Sequence, residues 1–264
     1  MEPVATHAPG TFCWIELATT DPEAAKAFYT GLFGWNALDT EAGPGVTYTF
    51  LRRGEQNVGA LYAQEATQRE QGIPPHWFSY VSTGDADAAA ERAAALGGTV
   101  VVAPFDVMDA GRMAIVQDPT GAPFGLWQTR THPGVDVLQE PGSLCWSELA
   151  TRDAEAAGAF YTGLFGWERQ TGDTPGGPYT MFSRSADDPA AGMLQMTEEW
   201  GEIPSHWMPY FGVEDCDAAV ARAQELGGTV KVEPITMPGV GRFAVVADPQ
   251  GAVFSIITFE HFGA

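Results

Sequence analysis

Residues 10–35 read GTFCWIELATTDPEAAKAFYTGLFGW and residues 142–167 read GSLCWSELATRDAEAAGAFYTGLFGW, one text at an offset of 132 with 20 of 26 positions identical. In each copy a strand-like alternation, from Phe12 to Ala18 in the first, runs straight into the start of a helix. Asp21 supplies a cap, Pro22 occupies the first helical position and Glu23 adds an early carboxylate. Ala24, Ala25, Phe28, Tyr29, Leu32 and Phe33 then recur at helical spacing, and Gly34 ends the run. That aromatic stripe predicts a helix packed against a sheet.

Outward from this stretch the echo continues at an offset of 130. Ile73-Pro-Pro-His76-Trp77 is answered by Ile203-Pro-Ser-His206-Trp207, and Asp118-Pro-Thr-Gly121 by Asp248-Pro-Gln-Gly251. Strand-like runs near residues 35–38, 46–51 and 58–63 complete a βαβββ unit. A second unit follows: a strand over 76–82, a cap at Asp85, an Ala-rich helix to Leu96 stopped by Gly97-Gly98, and strands near Thr99, Met113 and Phe124. The second copy repeats both units. The expected organisation is α+β, with tandem domains over 10–130 and 142–262 and a Pro/Gly-broken linker over 131–141. A period this long belongs to a duplicated globular domain rather than to a solenoid.

Composition narrows the function. A formal net charge of -21 and a pI near 4.3 disfavour nucleic acid and anionic membranes, which need clustered Lys and Arg. Three cysteines, Cys13, Cys145 and Cys216, make no disulfide framework. The N-terminal residues lack a basic stretch with an apolar core, and no apolar run approaches the roughly 20 residues of a membrane span. The expectation is a soluble cytoplasmic protein, monomeric or homodimeric. Neither a Gly-rich phosphate loop nor a Gly-x-Ser-x-Gly elbow occurs. His7, His132 and His261 carry no motif.

The four βαβββ units, the Ala-Phe-Tyr-Thr-Gly-Leu-Phe-Gly-Trp helix end and the Asp-Pro-x-Gly turn together resemble the vicinal oxygen chelate superfamily of glyoxalases, bleomycin-resistance proteins and extradiol dioxygenases. The doubled Cys-Trp-x-Glu-Leu and Pro-x-His-Trp motifs are most similar to its two-domain actinobacterial glyoxalase-like "hydroxylase" type. The resemblance implies β-lined cups with helices outside. It also implies metal ligands on the first strand of each unit, seven residues before the helix-opening Asp, and on the last strand, seven after the Asp-Pro turn. Here those positions hold Trp14, Phe78, Trp146 and Met208, then Gly125 and Ser255. The remaining ligand position falls within 58–63 and 191–196, where Gln195 offers an amide oxygen. A catalytic metal takes about three N, O or S ligands from the protein, so the expected metal set is none and no cofactor is predicted.

Two readings follow. In the first, Trp14, Phe78, Trp146 and Met208 turn a metal floor into an aromatic and thioether one, with Tyr80, Trp127 and Tyr210 as further lining. Trp77, Trp207 and Phe50 lie nearby, though strand alternation sends some of them to the opposite face. Offset stacking adds about 0.5–1.5 kcal/mol per ring pair, which suits a planar aromatic or hydrophobic small molecule. Such a protein binds or sequesters its ligand, and the resemblance connects it with antibiotic biosynthesis or resistance. In the alternative, Glu16 with His76 and Glu148 with His206, two residues from the ligand positions and on the same strand faces, act as acid/base pairs or as ligands of a divalent metal in a lyase or oxygenase. A structural role competes with that alternative: Glu16 paired with an arginine such as Arg112, and His76 marking the strand entry between Pro75 and Trp77.

Overall fold

A computed structural model describes residues 6–43, 45–174 and 176–260; His261 and the end of the second predicted domain at residue 262 lie outside them. The first repeat runs β1 (Phe12–Thr19), α1 (Pro22–Phe33), β2 (Asn36–Gly43), β3 (Val46–Arg53), β4 (Gln56–Ala63), α2 (Ala66–Glu70), β5 (His76–Ser82), α3 (Ala86–Ala95), β6 (Thr99–Val107), β7 (Gly111–Gln117) and β8 (Pro123–Thr129). The second runs β9 (Leu144–Thr151), α4 (Ala154–Phe165), β10 (Glu168–Thr174), β11 (Gly177–Ser185), β12 (Asp188–Gln195), a 3-10 turn (Glu198–Trp200), β13 (His206–Gly212), α5 (Cys216–Glu225), β14 (Thr229–Met237), β15 (Gly241–Ala247) and β16 (Val253–Phe259). This is the expected α+β arrangement of four βαβββ units.

The local signals act as read. Asp21, Asp85, Asp153 and Asp215 each cap a helix by accepting from the backbone N–H three residues on, at 3.0 Å, a contact worth about 1 kcal/mol against alanine. Gly34 and Gly166 close α1 and α4 at φ 68° and 72°, where a Cβ would be strained. The strand β2 extends well beyond its sequence signal, to Gly43, because it is a polar, exposed edge strand without alternation to read. The short α2 and the 3-10 turn were not foreseen either, since neither buries any residue.

Each repeat forms one eight-stranded sheet, in the order β2-β3-β4-β1-β5-β8-β7-β6 and its counterpart β10-β11-β12-β9-β13-β16-β15-β14. Packing divides the chain differently from the repeat. Among the described residues, one compact unit comprises residues 6–14, 79–134 and 147–208, and the other 15–78, 135–146 and 209–260. In the latter, α1 of the first repeat packs on α5 of the second. Phe33 lies 5.3 Å from Phe211, and Tyr29 5.5 Å from Phe254. The other unit repeats this with α3 and α4, and with Phe124 against Phe160 and Tyr161.

A buried polar chain explains the exchange. The Trp77 indole donates to the Tyr29 hydroxyl at 3.0 Å, and that hydroxyl donates to Asp248 Oδ2 at 3.0 Å. Asp248 Oδ1 accepts from the backbone N–H groups of Gln250 and Ala252. The second unit holds the same chain as Trp207, Tyr161 and Asp118, at 2.9 and 3.1 Å. Both tyrosines are fully buried, so each must find its partners inside the protein. Burial first, and the facing carboxylate second, push both phenols far above their usual range. Burial likewise raises the Asp248 carboxyl, with the Ala252 N–H and Tyr29 opposing the rise. Tyr29→Phe strands a donor and an acceptor at about 1–3 kcal/mol each. Urea unfolding is therefore expected to show a loss of about 2–4 kcal/mol, and a loss below about 1 kcal/mol would contradict this role.

Candidate functional site

The indole of Trp77 points to the helix side, where Gly59 also faces it and Ile15. Alternation along β1 and β5 therefore turns Glu16, His76 and Phe78 to the opposite, open face. All three belong to one compact unit, together with Tyr48, Phe50 and Tyr62. The Tyr48 hydroxyl donates to Glu16 Oε2 at 2.7 Å. Tyr48 stacks with Tyr62 at 6.4 Å and stands edge-on to Phe50 at 5.3 Å. Burial, then the Glu16 charge, hold the Tyr62 phenol above its usual range, with a hydrogen bond to Gln68 opposing. The same unit carries Trp146 and Tyr210, with Tyr210 in register with Ser255 and its ring 6.0 Å from Phe243. The Ser255 hydroxyl is buried without a hydrogen-bond partner among the described residues.

The other unit carries Trp14, Tyr80 and Trp127. In register, Tyr80 faces Gly125 and Ser82 faces Trp127, so Tyr80 and Trp127 share the open face. A linker residue that carried no sequence signal, His132, stands edge-on to Trp14 at 4.4 Å and to Trp127 at 5.8 Å. Its carbonyl accepts from the Trp127 indole at 3.0 Å. Only the fold reveals this ring, because it reaches the face from outside any strand. The unit also holds Glu148, which accepts from Tyr179 at 2.9 Å, with His206 and Met208. Trp14, Phe78, Tyr80, Trp127 and Tyr210 are buried, whereas Trp146 and Met208 are half-exposed.

Glu16 is not the partner of Arg112, which instead pairs with Asp87 at 2.6 Å and Asp106 at 2.9 Å. The register explains this: Arg112 lies opposite Asp106 on β6, and the N-terminal turn of α3 presents Asp87. His76 does mark the entry to β5, with Nδ1 2.8 Å from the Pro74 carbonyl oxygen and its ring 6.3 Å from Phe78. His206 sits likewise on the Pro204 carbonyl oxygen at 2.8 Å. The thiols offer no nucleophile: burial pushes Cys13 far up, Cys145 to about 12 and Cys216 to about 11, which keeps all three protonated at neutral pH.

The residues at the metal-ligand positions do not fit a divalent cation. Trp14, Phe78, Trp146 and Met208 supply no hard donor. At Gly125 a Cβ would run into the Tyr80 ring, so no carboxylate fits there while Tyr80 keeps its place. Among the described residues, no group of three or more His, Cys, Asp or Glu side chains is disposed to hold a metal ion. No helix among them is long and apolar enough to cross a membrane.

This fold and doubled site place the chain in the glyoxalase/bleomycin resistance protein/dioxygenase superfamily, whose family model matches residues 11–126 and 143–256. Among individual proteins, it is 39% identical over 252 residues to "Putative glyoxylase CFP32" of Mycobacterium bovis, covering 95% of both chains. It is 37% identical over 260 residues to "Anthracycline biosynthesis protein DauV" of a Streptomyces species, covering 95% of this chain and 94% of that one. The Mn(II)-bound glyoxalase of Novosphingobium aromaticivorans shares the fold at a TM-score of 0.66 and 15% identity, over 96% of this chain and 85% of that one.

Two measurements check this geometry. Gly125→Ala is expected to cost about 1–3 kcal/mol by overpacking against Tyr80. The same change in a Tyr80→Ala background should cost much less, and additivity of the two changes would refute the contact. Burial holds the His206 imidazole below its ordinary 6.5, partly opposed by the Pro204 carbonyl. The unfolded chain therefore takes up a proton first, and stability falls as pH drops below about 6.5 toward the folded-state value. His206→Gln should shrink the Tm decrease between about pH 7 and pH 5; an unchanged decrease would count against a desolvated, neutral imidazole at this position.

Proposed function

We propose that the chain binds a planar aromatic or other hydrophobic small molecule directly on its aromatic faces, without a catalytic metal, as a binding or sequestering protein. The observation that carries this reading is the Tyr80 ring over Gly125, an aromatic surface in the space a ligating carboxylate would need. Half-buried Trp146 and Met208 add apolar side chains of the same kind, and Met adapts to irregular shapes. A relative named for anthracycline biosynthesis supports a role beside antibiotic biosynthesis or resistance. The second reading, a lyase or oxygenase of the vicinal oxygen chelate type, draws on the Mn(II)-bound glyoxalase of the same fold. It would use Glu16 and His76, or Glu148 and His206, as divalent-metal ligands or as acid and base.

Elemental analysis of untagged protein purified without chelator separates the two. Far less than one equivalent of metal per chain is expected; one or two equivalents of a single metal would favour the second reading. With acridine as a planar probe, Trp14→Ala and Trp146→Ala are each expected to weaken binding about 10-fold through lost stacking and burial. Unchanged affinity in both variants would sink the binding reading.

A further inference from the structure

The two glutamates on the open faces stand in different surroundings. In register across three strands, Glu16 of β1 lies beside Ala60 of β4, and Ala60 beside Phe50 of β3. The next row is Ala18, Tyr62 and Tyr48. Ala60 is buried in the middle of this row, and Tyr48, Tyr62 and Phe50 present rings on the same face as the carboxylate. In the second repeat Glu148 keeps its tyrosine, Tyr179. There, however, Gly192, Met181 and Leu194 stand where the first repeat has Ala60, Phe50 and Tyr62. In these rows Glu16 has Phe50, Tyr62 and Tyr48 beside it, whereas Glu148 has Met181, Leu194 and Tyr179.

We propose that the Glu16 face is an aromatic cage for an organic cation, a cationic heteroaromatic or an ammonium-bearing ligand. This rests on the reading that the chain binds a planar small molecule, and it names the charge of that ligand. Ring faces carry negative potential and attract cations, and a partly buried carboxylate adds a full counter-charge. Anions are disfavoured by Glu16 itself and by the chain's net charge of -21. An inorganic divalent ion needs several oxygen ligands, whereas the oxygens beside Glu16 in these rows are the hydroxyls of Tyr48 and Tyr62. An organic cation, already partly desolvated by its own carbon skeleton, asks for less.

Calorimetric titration at pH 8 with N-methylacridinium and with acridine compares two ligands of one ring system that differ by a fixed positive charge. The cation is expected to bind about 10-fold more tightly or better. Glu16→Gln should bring it to the affinity of acridine, while acridine itself changes by less than about 2-fold. Tyr62→Leu, which gives the first repeat the residue of the second, should cut the preference by about 3- to 10-fold. Glu91→Gln, which removes an exposed charge from α3, should leave it intact. Equal binding of both ligands by the unaltered chain, a preference that survives Glu16→Gln, or one lost equally in Glu91→Gln overturns the cage while leaving the binding reading standing. Failure of both ligands to bind overturns the cage together with the reading beneath it.

Discussion

The buried chain from tryptophan to tyrosine to aspartate is the constraint on which the rest of each compact unit depends. It ties a strand, a helix and a turn with two hydrogen bonds that water cannot replace, and it draws those parts from both repeats. In one unit Trp77 and Tyr29 of the first repeat meet Asp248 of the second; in the other Trp207 and Tyr161 meet Asp118. Leaving any member unpaired costs more than the contact itself returns, so the helix that carries Tyr29 has a specified seat. The Phe28, Phe33 and Phe254 rings around that seat supply the apolar burial, while the polar chain supplies the specificity.

The same constraint sets the functional face. Once Trp77 points to the helix, the period of two along β5 sends His76 and Phe78 to the other side, and the matching argument on β13 places His206 and Met208. A slip by one residue would bury the histidines and expose the indoles. The chemistry of the open faces is therefore inherited from a packing requirement on the opposite one. Those faces combine half-buried carboxylates, each held by a tyrosine hydroxyl, with aromatic or thioether side chains.

Much of this was legible in the sequence. The capping aspartates, the closing glycines and the doubled text fix the four units. Other features were not legible, each for a physical reason. Tyr48 and Tyr62 approach Glu16 only through the β1–β4 and β3–β4 registers, which depend on pairing between distant segments. The preference of Arg112 for Asp87 and Asp106 is set by a hairpin register and a helix start. His132 lies in the linker, where no periodicity announces that its ring will stand against Trp14. The exchange of helices between repeats is invisible in a duplicated sequence, because Tyr29 has an equally good aspartate, Asp118 or Asp248, in either copy.

The proposed function has aromatic side chains hold the ligand without a metal. The most direct measurement is the affinity for acridine of chain stripped with EDTA, compared with the same chain supplied with Mn(II) or Fe(II). If the rings alone bind the ligand, the dissociation constant is the same in both preparations. Binding that appears only when the metal is restored would contradict it.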